Sequence, residues 1–200
     1  MSIKKIVTGL ALPLLLGSGS GAAVAADYYS AYSTYQSGDY KAAFKEMLPF
    51  AEQGNIDEQF WIAHMYSFGL GVPQNYKTSV KWYTLSAEQG DASAQYNLGM
   101  KYFDGQGVLK SYKTAVSWYT KAAEQGHVGA QSNLGVMYAI GYGVPADNRR
   151  AYMWYNLAIY NGNTLAPDNQ NALVNKMTPA AISKAQDMSS RCLESNYTDC

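Results

Sequence analysis

Apolar residues recur along this chain with the period of an α-helix. Ala94, Leu98 and Tyr102 are spaced four residues apart, which places them on one face of a helix from about Asp91 to Phe103. A second apolar stripe predicts a helix from about Tyr112 to Gln125. The stripe consists of Ala115, Trp118, Tyr119, Ala122 and Ala123. The pattern therefore predicts helical hairpins.

Polar residues and glycines mark the ends of these helices. Asp91 can cap the free N–H groups at the start of the first helix. Gly105 and Gly107 are expected to end that helix and to permit positive φ in the loop that follows. Gly126 is expected to end the second helix in the same way. One helix–turn–helix unit is therefore defined from its caps as well as from its apolar face.

The same unit recurs at an unbroken spacing of 36 residues. The aligned positions are Gly54, Gly90, Gly126 and Gly162; Gln59, Gln95 and Gln131; Tyr66, Tyr102 and Tyr138; and the G-x-G-V loops 69–72, 105–108 and 141–144. Gly99 and Gly135 fall in mid-helix, where glycine costs about 1 kcal/mol against alanine. We expect a neighbouring helix to cross there too closely for a Cβ atom.

These motifs resemble the Sel1-like repeat family, a relative of the tetratricopeptide repeats. The matching residues are Ala92-Ser93-Ala94-Gln95, Leu98-Gly99, Tyr102, Gly105-Gln106-Gly107-Val108, and Ala115 through Gly126 with Trp118-Tyr119. The resemblance covers about Gly54 to Gly162 and implies an all-α fold, a right-handed α-α superhelical solenoid. It divides this part of the chain into three repeats, 54–89, 90–125 and 126–162.

Helical segments are also predicted on both sides of the repeats. Residues 26–53 are expected to form an N-terminal hairpin, with Asp39 to Gln53 as the second helix of an earlier unit. Pro49 should kink that helix near its end. Residues 163–200 are expected to cap the solenoid with helices from Asp168 to Met177 and from Ala180 to Leu193, the latter after Thr178 and Pro179.

The first 25 residues have the order of a secretory signal peptide. Lys4 and Lys5 precede an apolar run, Ile6 to Leu16, and the A-x-A site Ala23-Val24-Ala25 follows. Cleavage is expected after Ala25, with Ala26 as the alternative, and a buried N-terminal helix is the competing interpretation. The run is too short to span a membrane. We therefore predict a periplasmic or secreted protein with no membrane segment after cleavage.

The charge of the chain limits the classes of binding partner, and its two cysteines predict a disulfide. Without Lys4 and Lys5 the chain has 13 basic and 15 acidic residues and no basic stripe, which disfavours nucleic acid and anionic membrane surfaces. Cys192 and Cys200 lie eight residues apart and are predicted to form a disulfide in an oxidising compartment. A redox or metal site is the alternative, but no C-x-x-C motif and no nearby histidine supports it.

No motif in the sequence indicates catalysis. His64 and His127 fall in different columns of the repeat, and neither G-x-S-x-G nor S-x-x-K is present. Side chains repeated in register, such as Glu88 and Glu124, point to packing or capping. The Trp-Tyr pairs are expected to pack between helices, with a carbohydrate platform as the alternative. We therefore expect no catalytic residue, no metal and no cofactor.

Binding is expected at first-helix positions that vary between units. These positions are Glu58, Trp61, Met65, Asn97, Lys101, Asn133 and Met137. Trp61 and Met65 could anchor a partner, or could pack against the N-terminal helices. The resemblance implies an exported scaffold for a protein or peptide. The alternatives are a cell-wall or β-lactam-binding hydrolase, although the family members given that label have a disulfide in each repeat, and a structural envelope component that self-associates.

Overall fold

The computed structural model describes residues 30–200, in which all regular secondary structure is α-helical. The helices are α1 (residues 30–36), α2 (Tyr40–Glu52), α3 (Ile56–Phe68), α4 (Tyr76–Glu88), α5 (Ala92–Asp104), α6 (Tyr112–Ala123), α7 (Val128–Ile140), α8 (Asn148–Tyr160), α9 (Ala166–Val174) and α10 (Pro179–Glu194). Within residues 30–200 no helix is long and apolar enough to cross a membrane. The predicted signal peptide and residues 26–29 lie outside this part of the chain.

The helix ends follow the predicted capping chemistry. The Asp91 carboxylate accepts a hydrogen bond from the Ala94 N–H and starts α5. Gly105 then ends α5 with φ of 77°, a left-handed conformation that glycine adopts without strain. Asn75, Ser111 and Asp147 cap α4, α6 and α8 in the same way as Asp91 caps α5. The predicted hairpins are therefore present with ends within about two residues of those expected.

The mid-helix glycines make room for an aromatic ring. A Cβ atom on Gly99 would lie 2.6 Å from Cδ1 of Tyr119, and Gly135 meets the ring of Tyr155 in the same way. Both tyrosines are buried. The close approach predicted at this column is confirmed, and what approaches is the tyrosine of the Trp-Tyr pair.

The repeat register extends beyond the consensus motifs at both ends. Helix α2 begins and ends 36 residues before α4, as predicted. At the other end, Ala166 and Leu173 fall 36 residues after Ala130 and Met137, and all four side chains are buried. Helix α9 is therefore a shortened first helix of a further, degenerate unit. It starts earlier than predicted because Asn163 Oδ1 accepts from the N–H groups of Leu165 and Ala166.

Successive units interlock through the second glycine of each loop. Gly71, Gly107 and Gly143 lie against the first residue of the preceding second helix, which is a tyrosine each time. Around Gly107 a Cβ atom would overlap the carbonyl group of Tyr76 and lie 2.7 Å from the backbone nitrogen of Lys77. The positive φ of Gly107, 78°, turns the loop so that its backbone contacts the start of α4. The G-x-G-V motif is therefore the joint between units.

A ladder of side-chain amides runs across the units. Gln95 Nε2 donates to the Ala87 carbonyl at 3.0 Å, and Gln125 Nε2 donates to Gln95 Oε1 at 2.8 Å. The pair Gln59 and Gln89 repeats this geometry one unit earlier. One unit later Gln131 pairs with Asn161, which replaces the expected glutamine. The repeated glutamine column is therefore structural.

The C-terminal segment closes the ladder and the end of the stack. Helix α10 packs on α8, and the predicted Cys192–Cys200 disulfide ties the chain end to α10. Between the two cysteines, Tyr197 adopts φ of 65° and its hydroxyl lies 2.8 Å from Asn161 Nδ2. The disulfide loop thus positions the Tyr197 hydroxyl, which is the last hydrogen-bonding partner of the amide ladder.

We expect Tyr197→Phe to lower the free energy of unfolding by about 1 kcal/mol, because it removes the hydroxyl that bonds to the Asn161 amide. Tyr160→Phe is the matched control, since Tyr160 is 71% exposed, and it should change stability by less than about 0.5 kcal/mol. Urea unfolding of both variants measures the difference. Equal stability of the two would show that the ladder gains nothing from Tyr197.

Candidate functional site

Along the first helices, one stripe of side chains stays partly or fully exposed. In α3, α5 and α7 the stripe occupies positions four residues apart, on one side of each helix. We define the first-helix stripe as Phe60, His64 and Phe68; Tyr96, Met100 and Asp104; and Ser132, Val136 and Ile140. Phe68 is 59% exposed, Ile140 51% and Met100 36%. These exposures mark an apolar surface that spans three units.

Two neighbouring cavities open between the first helices. One, of about 230 Å³, lies between α5 and α7 and is lined mostly by apolar groups, among them Tyr96, Phe103, Tyr119 and Val136. The other, of about 210 Å³, lies between α3 and α5 and includes Ser67, Phe68, Asn97 and Lys101. Met100 and Asp104 line both cavities. The two form a groove on either side of α5.

An aromatic cluster occupies the N-terminal end of the groove. The ring centroid of Trp61 lies 4.7 Å from Tyr35, and that of His64 lies 4.5 Å from Phe68. His64 Nδ1 is 3.2 Å from the Tyr35 hydroxyl. Burial, and secondarily the charge of Lys101, lower the pKa of His64. The neutral imidazole is therefore part of this packing at neutral pH.

The repeat sequence itself matches a known family. Residues 59–91, 92–127 and 128–163 each fit the description Sel1 repeat, and together they cover more than half of the chain. The chain belongs to the Sel1 repeat family. Its helices have the scaffold fold of that family, as the solved structures below show.

Two solved structures with Sel1-type folds are similar to this chain. A Sel1 repeat protein from Oxalobacter formigenes is 29% identical with a TM-score of 0.71, over 84% of this chain and 77% of that one. A protective antigen present in uropathogenic Escherichia coli strains, with an SLR fold, is 32% identical with a TM-score of 0.51. That similarity covers 78% of this chain and 42% of the antigen, so this chain spans less than half of it. No curated protein matches the chain.

The Trp61–Met65 anchor is wrong for Met65. Met65 is fully buried in a cluster with Ala31, Met47 and Ile62, so it cannot reach a partner. Trp61 is half-buried against Tyr32 and Tyr35. Both residues therefore pack against the N-terminal helices, as the alternative interpretation states.

The other predicted positions divide between core and groove. Glu58 is 1% exposed and lines neither cavity, so it is wrong as a contact residue. Met137 is also 1% exposed, but it forms part of the wall of the cavity between α5 and α7. Asn97 and Lys101 line the cavity between α3 and α5, and Asn133 lines the one between α5 and α7. The column of Met65, Lys101 and Met137 lies one residue beyond the first-helix stripe. One residue rotates a side chain by about 100°, which turns this column inward.

Sequence reasoning missed the apolar members of the first-helix stripe. Phe68, Met100, Val136 and Ile140 lie in columns that vary between the Sel1 units. Three of the four are exposed by a third or more, where a solvated helix face would carry polar groups. The same columns also contain His64 and Asp104. The signal that could have located the groove is therefore a large apolar side chain in a variable column directly beside a buried column.

The histidine of the third unit has a structural role. His127 Nδ1 accepts a hydrogen bond from the Ala130 N–H at 3.2 Å and caps α7, where the second unit uses Asp91. Its ring stacks on Tyr96 at 4.5 Å. Within residues 30–200 no three side chains of the metal-binding types come together. Both histidines are thus accounted for by packing and capping.

Glu58 is a buried carboxylate in a core column. Units two and three carry Ala94 and Ala130 at this position. Glu58 Oε2 has no hydrogen-bonding partner among the described residues. Burial, with Asp57 as a smaller contribution, raises the pKa of the Glu58 carboxyl. Folding therefore makes ionisation of Glu58 less favourable than it is in the unfolded chain.

We expect Glu58→Ala to stabilise the protein by about 1 kcal/mol at pH 7, because an unpaired buried charge is replaced by the side chain of the other units. A raised pKa means that ionisation costs the folded state. The gain should therefore be present above the folded pKa of Glu58 and vanish as the pH falls below the unfolded value. Thermal unfolding at pH 7 and pH 3 measures this. A gain independent of pH would contradict it.

Proposed function

We propose that the protein is an exported scaffold that binds a segment of a protein or peptide along the first-helix stripe, and that it is not an enzyme. The observation that carries the proposal is the run of exposed apolar side chains over two adjoining cavities. Contiguous exposed apolar surface with concave shape is typical of interaction sites. Helical solenoids bind through such extended surfaces.

Membership of the Sel1 repeat family supports the scaffold role. Repeated polar side chains that might pass for an active site, such as Gln95 and Gln131, belong to the amide ladder and bond to the carbonyls of Ala87 and Ala123 in the preceding units. The positions left for function are those of the first-helix stripe, which differ from unit to unit. Because the side chains of the first-helix stripe differ from unit to unit while the units repeat, the stripe can recognise an extended peptide whose sequence does not repeat.

Export is supported by two independent features. The order of basic, apolar and small residues in the first 25 positions is that of a signal peptide. The Cys192–Cys200 disulfide belongs in an oxidising compartment such as the periplasm or the exterior. The similar Escherichia coli protein is described as a protective antigen, which agrees with this location.

Crosslinking and pull-down from envelope extracts test the proposal with a matched pair of variants. Met100→Glu places a charge between the two cavities and should abolish partner capture. Leu109→Glu adds the same charge in a loop at a side chain that is 91% exposed and should capture the partner as wild type does. If both variants retain the partner, the first-helix stripe is not the binding surface.

A further inference from the structure

A lysine ammonium lies buried beside the cavity between α3 and α5. Lys101 is 7% exposed. Its Nζ donates to Ser67 Oγ at 2.6 Å and to Gln106 Oε1 at 2.9 Å, and it lies 4.6 Å from the ring centroid of Tyr76. An ammonium has three N–H donors, so one remains for a further acceptor. All four of these residues line the cavity.

Within residues 30–200 the charge of Lys101 makes no ion pair. Among residues 30–200 the structure has one ion pair, which joins Arg149 to Asp147. Asp104 lies on the exposed rim of the cavity and is too far for an ion pair with Lys101. A buried cation with no anion in ion-pair contact is costly, and burial lowers the pKa of Lys101, with the charge of Asp104 as a smaller, opposing contribution.

Packing does not require a cation at this position. The equivalent residues of the first and third units are Met65 and Met137, both of which are buried. The second unit alone among the three carries a charge in this column, and there the charge lies beside an open cavity. A methionine would fill the same buried position, without the hydrogen bonds that Lys101 makes to Ser67 and Gln106. Packing therefore does not explain the charge of Lys101, whereas binding of an anionic ligand in the cavity would.

We propose that this cavity binds the side-chain carboxylate of an extended peptide, with Lys101 as its counter-ion and with an apolar side chain of the same peptide in the cavity between α5 and α7. The inference rests on the proposed function and names the chemistry of its ligand. The carboxylate accepts the third N–H of Lys101 and neutralises its charge.

The groove sets the spacing of the two peptide groups. The cavities lie on either side of α5, and packed helices are separated by about 10 Å. An extended chain covers that distance in about three residues. Exposed apolar side chains lie on both sides of α5, with Phe68 in the wall of the cavity between α3 and α5 and Ile140 on α7. A carboxylate from a side chain within the peptide lets the peptide contact both sides, so we assign the carboxylate to a side chain and not to a chain end.

Selection from a phage-displayed library of random dodecapeptides tests the inference on the wild-type protein and on Lys101→Met. The variant carries the residue of the other two units and should fold. We expect wild type to enrich peptides with Asp or Glu about three residues from an apolar residue, and Lys101→Met to lose the acidic preference. Calorimetry then compares each selected peptide, acetylated and amidated, with its Glu→Gln counterpart.

Wild type should bind the glutamine peptide about tenfold more weakly or worse, because a charge-assisted hydrogen bond is lost. The Lys101→Met variant should distinguish the two peptides by less than about twofold. Equal binding of both peptides to wild type would overturn the inference and leave the proposed function intact. So would binding that needs a free C-terminal carboxylate. Failure of wild type and variant to select any peptide would contradict the proposed function itself. The glutamine comparison needs wild type only, so it holds even if the variant is unstable.

Discussion

Gly107→Ala is expected to lower the free energy of unfolding by at least about 3 kcal/mol, against about 1 kcal/mol for Gly90→Ala. Both glycines have positive φ, 78° and 104°, so an alanine is strained at either position. Nothing lies within 4 Å of the Cβ that Gly90 would gain. The Cβ of residue 107 would overlap the Tyr76 carbonyl, so the difference between the variants isolates the joint between units.

The overlap at Gly107 cannot be relieved by a side-chain movement. The atoms it meets are the backbone of Tyr76 and Lys77 at the start of α4, which are held by helical hydrogen bonds. The second and first units must therefore move apart, which exposes apolar surface between them. Chemical denaturation of the two variants, followed by circular dichroism, measures the effect. Equal losses for Gly107→Ala and Gly90→Ala would show that the joint tolerates a methyl group.

Gln131→Met should destabilise the protein by about 3 kcal/mol, because it removes two hydrogen bonds from a fully buried site. Gln131 Nε2 donates to the Ala123 carbonyl at 3.2 Å, and its Oε1 accepts from Asn161 Nδ2 at 2.9 Å. Methionine fills a similar volume, so the loss reports the orphaned polar groups rather than a cavity. The lost bonds join Gln131 to the second unit, through Ala123, and to α8 of its own unit, through Asn161.

Gln125→Ala is the matched control for the ladder. Gln125 donates to Gln95 Oε1 and to the Gly90 carbonyl, but its side chain is exposed and water can replace it. We expect a loss of less than about 1 kcal/mol. Because units of a solenoid are coupled through their interfaces, Gln131→Met should also broaden the urea transition. A sharp transition with wild-type stability would show that the amide ladder does not couple the units.

The fold could be predicted because its rules recur in every unit. Ala94, Leu98 and Tyr102 defined a helix face once, and the 36-residue spacing then applied the same face to three units. Asp91 and Gly105 added caps whose chemistry is local, so no tertiary information was needed. The start of α9 was not predicted because Asn163 begins that helix without the consensus residues, and only the buried Ala166 and Leu173 keep the register.

The candidate site was predicted less well because it depends on an orientation that periodicity leaves open. The column of Met65, Lys101 and Met137 varies in residue type, and a variable column is expected to be exposed. In the structure the N-terminal hairpin covers Met65, whereas Lys101 and Met137 are buried in the walls of the two cavities. Met100, one residue before Lys101, is exposed and lines both cavities. Which side of a helix is left open depends on how neighbouring units pack, and one sequence without its packing cannot assign it.

The amide ladder has a consequence for how such a protein can evolve. Its hydrogen bonds recur every 36 residues, both within a unit, as from Gln89 to Gln59, and between units, as from Gln95 to the Ala87 carbonyl. The joint at Gly107 recurs in the same way at Gly71 and Gly143. An in-frame duplication of residues 90–125 would therefore recreate the amide ladder and the backbone joint on both sides of the inserted unit, with the disulfide loop still closing the end. Recombination can lengthen the array by whole units without redesigning any interface, and each duplication supplies a fresh first helix on which a new ligand preference can be selected.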